Sequence, residues 1–240
     1  MGISYNPSVT TSGLVMYLDA SNIKSYVSGT SWTDIGGNGI PATLQNSGAA
    51  TVTGVTGSTG YLNFAAVDST STAGYYLINS SAISSLTTLS LETCVYVNTF
   101  YTSSGATHAR PISPRITESG SPLGVGIFNG ALSIEINGGG TWFTATYSDP
   151  SIGSGKWLHL SQVTDNVGKT LKTYLNSVLV NTLVFTGTPT SGGGLLLGRG
   201  FYGGTLNYAG RIGFVRVYNK ALSDSEVQQN FNAVRGRYGL

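Results

Sequence analysis

The chain has 240 residues, very few charges and almost no cysteine. Asp, Glu, Lys and Arg together make 9% of it, the formal net charge is +2, and no basic run occurs anywhere. Nucleic-acid binding needs a concentrated electrostatic footprint, so that class of partner is excluded. Arg235 and Arg237, the closest approach to a basic cluster, read as partners of a helix dipole. Cys94 is the single cysteine, so no intrachain disulfide is expected. Lying in the strand-like residues 89–97, it reads as a small buried hydrophobe. No base lies near it in sequence to make it a catalytic thiolate. A basic segment leading into an apolar one is missing, as is any long apolar run, so neither classical secretion nor a membrane span is expected. Work outside a cell would then follow lysis or assembly into a particle. Repeated helical stretches are also missing, which excludes a parallel α/β organisation.

What is present is a chain of short apolar segments set in Gly, Ser, Thr and Asn. The hydrophobic fraction of 40% is ample for a core. Leu14, Met16 and Leu18 alternate as one face of a first strand. Further strands are expected at 61–64, 75–78, 89–97, 123–128, 131–137, 141–147, 157–165, 170–175, 178–185, 195–198 and 212–218. Asn129-Gly130, Gly138-Gly139-Gly140 and Asn176-Ser177 supply the turns between several of them. About a dozen short strands at even spacing predict an all-β, two-sheet antiparallel jelly-roll sandwich. One short C-terminal helix, about 223–235, closes the chain. Ser223 at its N-cap and Glu226 at N3 form a capping box, and Val227, Phe231 and Val234 form its apolar stripe. Residues 1–12 read as an N-terminal arm and 13–240 as one domain.

Chemistry is sparse. His108 and His159 are too far apart in sequence to be read as a metal pair, and His159, between Leu158 and Leu160, should face away from them at the surface or in a sheet hydrogen bond. Neither a Ser-His-Asp nor a Cys-His set is visible. Calcium is the one cofactor the residues admit: Asp19 with Asn22, or Asp34 with Asn38, offers hard oxygen ligands. The same Asp and Asn residues also suit plain turn chemistry. Tyr101, Phe201, Tyr202 and Tyr208 lie in loop-like or Gly-rich contexts and read as a rim for contact with glycan or protein. Trp32 could anchor a long loop, while Trp142 and Trp157 fit strand positions and read as core. Gly192-Gly193-Gly194 lacks the lysine and hydroxyl of a phosphate loop.

These segments, taken in order, resemble a known family. Residues 13–20 look like its opening strand, and Trp32-Thr33-Asp34-Ile35-Gly36-Gly37-Asn38-Gly39 is similar to its Trp-x-Asp-x-x-Gly-Asn-Gly turn. Residues 89–97 look like its Glu-containing central strand. Trp157-Leu158-His159-Leu160 and Tyr174-Leu175-Asn176-Ser177 look like the strands around its Tyr-x-Asn-Gly hairpin, and residues 210–231 look like its closing strand and helix. The sequence thus resembles the concanavalin A-like lectin/glucanase superfamily, in its laminin G-like jelly-roll branch.

That resemblance implies a scaffold for binding. Glycoside hydrolysis needs two carboxyl groups across the scissile bond, which related glucanases place on one strand as Glu-x-Asp-x-x-Glu. No such cluster occurs here; Glu92 and Glu135 stand alone on separate strands and are expected to be solvated or edge carboxylates. The expectation is a protein that is not an enzyme. The compact variety of this domain resembles those of tailed-phage virions. It implies a bacteriophage structural protein in the virion, a head decoration or head-fibre protein with capsid or tail proteins as partners, assembled as a homo-oligomer, a trimer by analogy. The alternative is a carbohydrate-binding module recognising host cell-surface glycan.

Overall fold

A computed structural model describes residues 8–40, 42–45, 52–65, 74–103, 106–114, 124–128, 130–189, 194–200 and 208–240. The strands in chain order begin with β1 (Leu14–Asp19), β2 (Ser31–Trp32), β3 (Ala42–Gln45), β4 (Val52–Val55), β5 (Tyr61–Ala65) and β6 (Tyr75–Ile78). A single-turn helix α1 (Ser81–Ser84) precedes β7 (Leu89–Thr99), β8 (Tyr101–Ser103), β9 (Ala106–Pro114), β10 (Gly124–Phe128) and β11 (Ala131–Gly138). Then come β12 (Thr141–Ser148), β13 (Trp157–Asp165), β14 (Thr170–Leu175), β15 (Val178–Val184), β16 (Leu195–Leu197), β17 (Ala209–Tyr218) and helix α2 (Asp224–Tyr238).

Among the described residues, all pairings are antiparallel and build two sheets. The first runs β15-β14-β13-β7-β17-β5-β4, with β1 also on β17; the second runs β12-β11-β10-β9-β16-β6-β3-β2, with β8 on β9. Period-two alternation fills the space between them. Leu89, Leu91, Val95 and Val97 of β7 and Ile212, Val215 and Val217 of β17 meet Ile127, Ile134 and Ile136 from the opposite sheet. Trp32 is fully buried in this core, edge-on to Tyr76. The all-β, two-sheet jelly-roll sandwich with a short C-terminal helix is the fold.

Two irregularities re-aim side chains. A register shift between Leu14 and Met16 leaves Met16 and Leu18 in the inter-sheet core but sends Leu14 to a second cluster under α2. The expectation that the three share a face is therefore corrected. A second shift, between Ile212 and Phe214, turns Phe214 outward toward α2. The extra residue is Gly213, where a Cβ would overlap the Tyr238 ring. The same break divides the other flank of β17, which pairs with β5 through residues 209–212 and with β1 through 214–218.

Helix α2 starts at the predicted capping box, Ser223 with Glu226, and ends at Gly239 in the left-handed conformation. It lies on the outer face of the first sheet, burying Val227, Asn230, Phe231, Val234 and Tyr238. Ser8 and Thr10 of the N-terminal arm run along it: the Thr10 N–H donates to Asn230 Oδ1 at 2.7 Å, and Gln229 Nε2 to the Ser8 carbonyl at 2.8 Å.

Candidate functional site

The outer face of the first sheet is covered by α2 over part of its area, and the covered part holds the charges. Alternation on β7 sends Glu92 to this face, opposite Leu91 and Val95. Glu92 is fully buried; it meets Arg216 Nη1 at 3.3 Å, accepts from Asn230 Nδ2 at 2.7 Å and from Ser161 Oγ at 3.2 Å. The Arg216 guanidinium lies over the rings of Phe214 and Tyr17, 4.1 and 4.8 Å from their centroids. Burial pushes the Glu92 carboxyl above its usual range, against the opposing pull of Arg216, Asn230 and Ser161. The expectation of a solvated Glu92 is corrected, because the helix covers the face to which alternation assigns it. His159 needs the same correction. It does face away from Leu158 and Leu160, but toward Phe214 and Phe231, fully buried and with no hydrogen-bond partner among the described residues for either ring nitrogen.

Glu135 lies on the outer face of the opposite sheet, where Arg110 Nη2 meets it at 2.7 Å and Ser133 Oγ donates to it at 2.8 Å. The two glutamates thus occupy opposite outer faces of the sandwich, each committed to an arginine. No glycosidic bond fits between them, so Glu92 and Glu135 do not form the carboxylate pair that glycoside hydrolysis needs.

The residues considered for calcium are occupied by N–H donors. Asp34 Oδ1 accepts from the backbone of Tyr17 and Gly36 at 2.8 and 2.7 Å, and Oδ2 from Asn38 and Ile40 at 3.1 and 3.3 Å. Asn38 Nδ2 donates to the carbonyls of Val15 and Leu14, and Asn22 Oδ1 accepts from the Lys24 N–H. Asp19 faces Arg237, whose Nη1 bridges both carboxylate oxygens at 2.9 and 2.8 Å, and it also accepts from the Tyr17 hydroxyl. A cation would have to displace a guanidinium and a set of amides, so these residues are turn and tether residues instead. No cluster of three or more His, Cys, Asp or Glu suited to a metal occurs among the described residues.

The aromatic rim is redistributed too. Tyr208 is fully buried against Phe64, its hydroxyl donating to the carbonyls of Tyr96 and Arg211 at 3.0 and 3.1 Å, so it is a core residue and not a contact. Tyr101 lies on β8, paired in register with His108 of β9. Phe201 and Tyr202 lie outside the described residues, as do Gly192 and Gly193. The two tryptophans read as core are not core: Trp142 is 40% exposed on the edge strand β12, and Trp157 is half-buried at the start of β13.

Trp157 belongs to the part of the outer face that α2 leaves bare. Direct cross-strand pairing places Trp157 beside Tyr96, Tyr96 beside Arg211, and Arg211 beside Asn63, on four successive strands. The Trp157 ring lies 5.5 Å from Tyr96, 6.0 Å from Tyr61 and 4.6 Å from Tyr238 at the helix end. Between this cluster, the 151–156 turn and the last residues of α2 opens a bay of about 380 Å³, lined by Tyr96, Lys156, Trp157, Asn176, Tyr238 and their neighbours. Asn176 Oδ1 is held by the His159 N–H at 2.9 Å, which leaves its amide N–H groups as donors. Ordinary ligand pockets span about 300–1,000 Å³ and combine apolar walls with a few fixed polar groups. This bay fits that description, at the small end.

A family model described as concanavalin A-like lectin/glucanases superfamily matches residues 68–228. The chain belongs to that superfamily. A search of curated proteins gave no match. Among solved structures, this lectin-like domain is similar to the binding domain of botulinum neurotoxin DC in complex with SialylT, at 15% identity and a TM-score of 0.69, covering 94% of this chain and 52% of that one. It is similar to domain 4 of AbnA, a GH43 extracellular arabinanase from Geobacillus stearothermophilus, in complex with arabinotriose, at 16% identity and a TM-score of 0.64, covering 90% and 97%. Trypanosoma rangeli sialidase gives 14% and 0.64, covering 94% and 33%. The chain thus spans about half of the toxin binding domain it matches, 52% of its length. At these identities the likeness establishes the shared lectin-like fold.

Proposed function

We propose that this protein is a carbohydrate-binding domain and that its glycan sits in the bay walled by Trp157, Tyr96 and Tyr238. The observation that carries this reading is the partly buried Trp157, which lines the bay within a three-tyrosine cluster beside the amide of Asn176 and the ammonium of Lys156. A sugar ring has an apolar C–H face and a polar rim, and stacking on an aromatic while hydrogen bonding at the edge satisfies both. Two proteins of similar fold support the reading, since one is described with SialylT and the other with arabinotriose. The virion setting concerns where such a domain is carried; a bay of this kind would serve a particle that must attach to a glycan-coated host.

A glycan array followed by calorimetry on the best hit tests the assignment. Trp157→Ala is expected to weaken binding by about tenfold or more, equivalent to about 1.4 kcal/mol, with the fold intact by circular dichroism. Undiminished affinity in that variant contradicts the site.

A further inference from the structure

We infer that the bay selects acidic sugars and that Arg211 is the residue that reads the acid, an inference that rests on the glycan-binding reading above. Arg211 stands two strands from Trp157 in the cross-strand row, a separation of about 10 Å from the usual strand spacing, with Tyr96 between them. Its guanidinium is clamped between two rings, 4.7 Å from the centroid of Tyr61 and 4.6 Å from that of Tyr96. Stacking of this kind fixes the plane of the fork and lowers the entropy lost when it grips a ligand.

What the clamp lacks is an anion. Arg110, Arg216 and Arg237 are each paired with a carboxylate. Arg211 enters no ion pair among the described residues, and its Nε is buried with no hydrogen-bond partner. Lys156, on the far side of Tyr96 and Trp157, is exposed and has no ion pair within the same residues. Two cations therefore bracket the aromatic floor, one of them held rigid. A sugar stacked on Trp157 with a carboxylate or sulfate directed along the row would reach the Arg211 fork, where charge-assisted hydrogen bonds are the strong ones. Asn63, hydrogen-bonded to Asn98 at 3.4 Å, ends the row with amides suited to neighbouring hydroxyls.

The test is an array on which each acidic glycan is printed beside its neutral parent: 3′-sialyllactose with lactose, tetragalacturonate with its carboxyl-reduced form, and 3′-sulfolactose with lactose. Calorimetry on the best pair then compares the wild type, Arg211→Gln, Arg211→Lys and Trp157→Ala, each checked for folding by thermal melting. The expected result is an acid-to-neutral affinity ratio of about ten or more in the wild type, collapsing toward one in Arg211→Gln and partly kept in Arg211→Lys. Which pair responds identifies the acid as sialic, uronic or sulfate. Equal binding of acidic and neutral partners, or a ratio that survives Arg211→Gln, overturns the inference while glycan binding sensitive to Trp157→Ala leaves the function standing. Absence of any glycan binding that Trp157→Ala removes overturns both. An arginine serving only the fold would change stability without moving the ratio.

Discussion

His159 shows how much one buried ring can set the behaviour of the protein in acid. Burial under α2, with the Arg216 charge nearby, lowers its pKa from 6.5 to about 3. The unfolded chain binds a proton near pH 6.5 that the folded protein refuses. The resulting contribution to stability is complete above about pH 6.5 and is lost as pH falls toward 3, at up to about 1.4 kcal/mol per pH unit. His159→Leu keeps the apolar contacts with Phe214 and Phe231 and removes the proton site. Urea unfolding at pH 7 and pH 4.5 should show a smaller loss of stability on acidification in that variant than in the wild type; equal losses would mean that His159 is protonated in the fold. Alternation turned His159 away from Leu158 and Leu160 from sequence alone. What it could not say is that the face is roofed, because the helix that covers it lies some 65 residues further on for His159.

At the scale of elements, the docking of α2 decides which part of the first sheet is open. The helix is tied down by its apolar stripe and by polar links that include Asn230 to Glu92, Asn230 to Tyr218, Arg237 to Asp19 and Tyr174 to Asp224. Glu92 and Arg216 stand at the centre, and removing one partner of a buried pair typically costs about 3–5 kcal/mol. Arg216→Met alone is expected to fall in that range by chemical denaturation, and Arg216→Met with Glu92→Leu to recover most of the loss; a double variant as unstable as the single one would contradict the reading of the pair. The capping box, most strands and the turn at Asn176 and Ser177, both at positive φ, were legible because each is a local pattern. The site was not. Trp157 and Tyr96 sit in ordinary apolar strands and look like core until the cross-strand register brings them together at the edge of the helix. Tyr208 looks like a loop aromatic, and its burial follows only from the packing of Phe64 and the carbonyls above it. Asp19 and Asp34 offered two uses, calcium and turn, and only the donors around them separate the two.

For the whole molecule, the sandwich has two outer faces with different fates. One carries Glu135 with Arg110. The other is covered by α2 over part of its area, and the aromatic bay opens where the helix ends. Low overall charge fits this division: Arg110, Arg216 and Arg237 meet carboxylates where they hold the fold, and among the described residues Arg211 and Lys156 stand without ion pairs beside the bay. The three tryptophans report on the three environments, since Trp32 is buried in the core, Trp142 is exposed on the edge strand of the second sheet, and Trp157 walls the bay. The most direct measurement is therefore a titration of the three indole N–H signals by ¹H–¹⁵N NMR with the oligosaccharide selected on the array. The account predicts a saturable shift of the Trp157 signal while those of Trp32 and Trp142 stay in place. Saturable binding that leaves Trp157 unmoved, or that moves Trp142 instead, would contradict it.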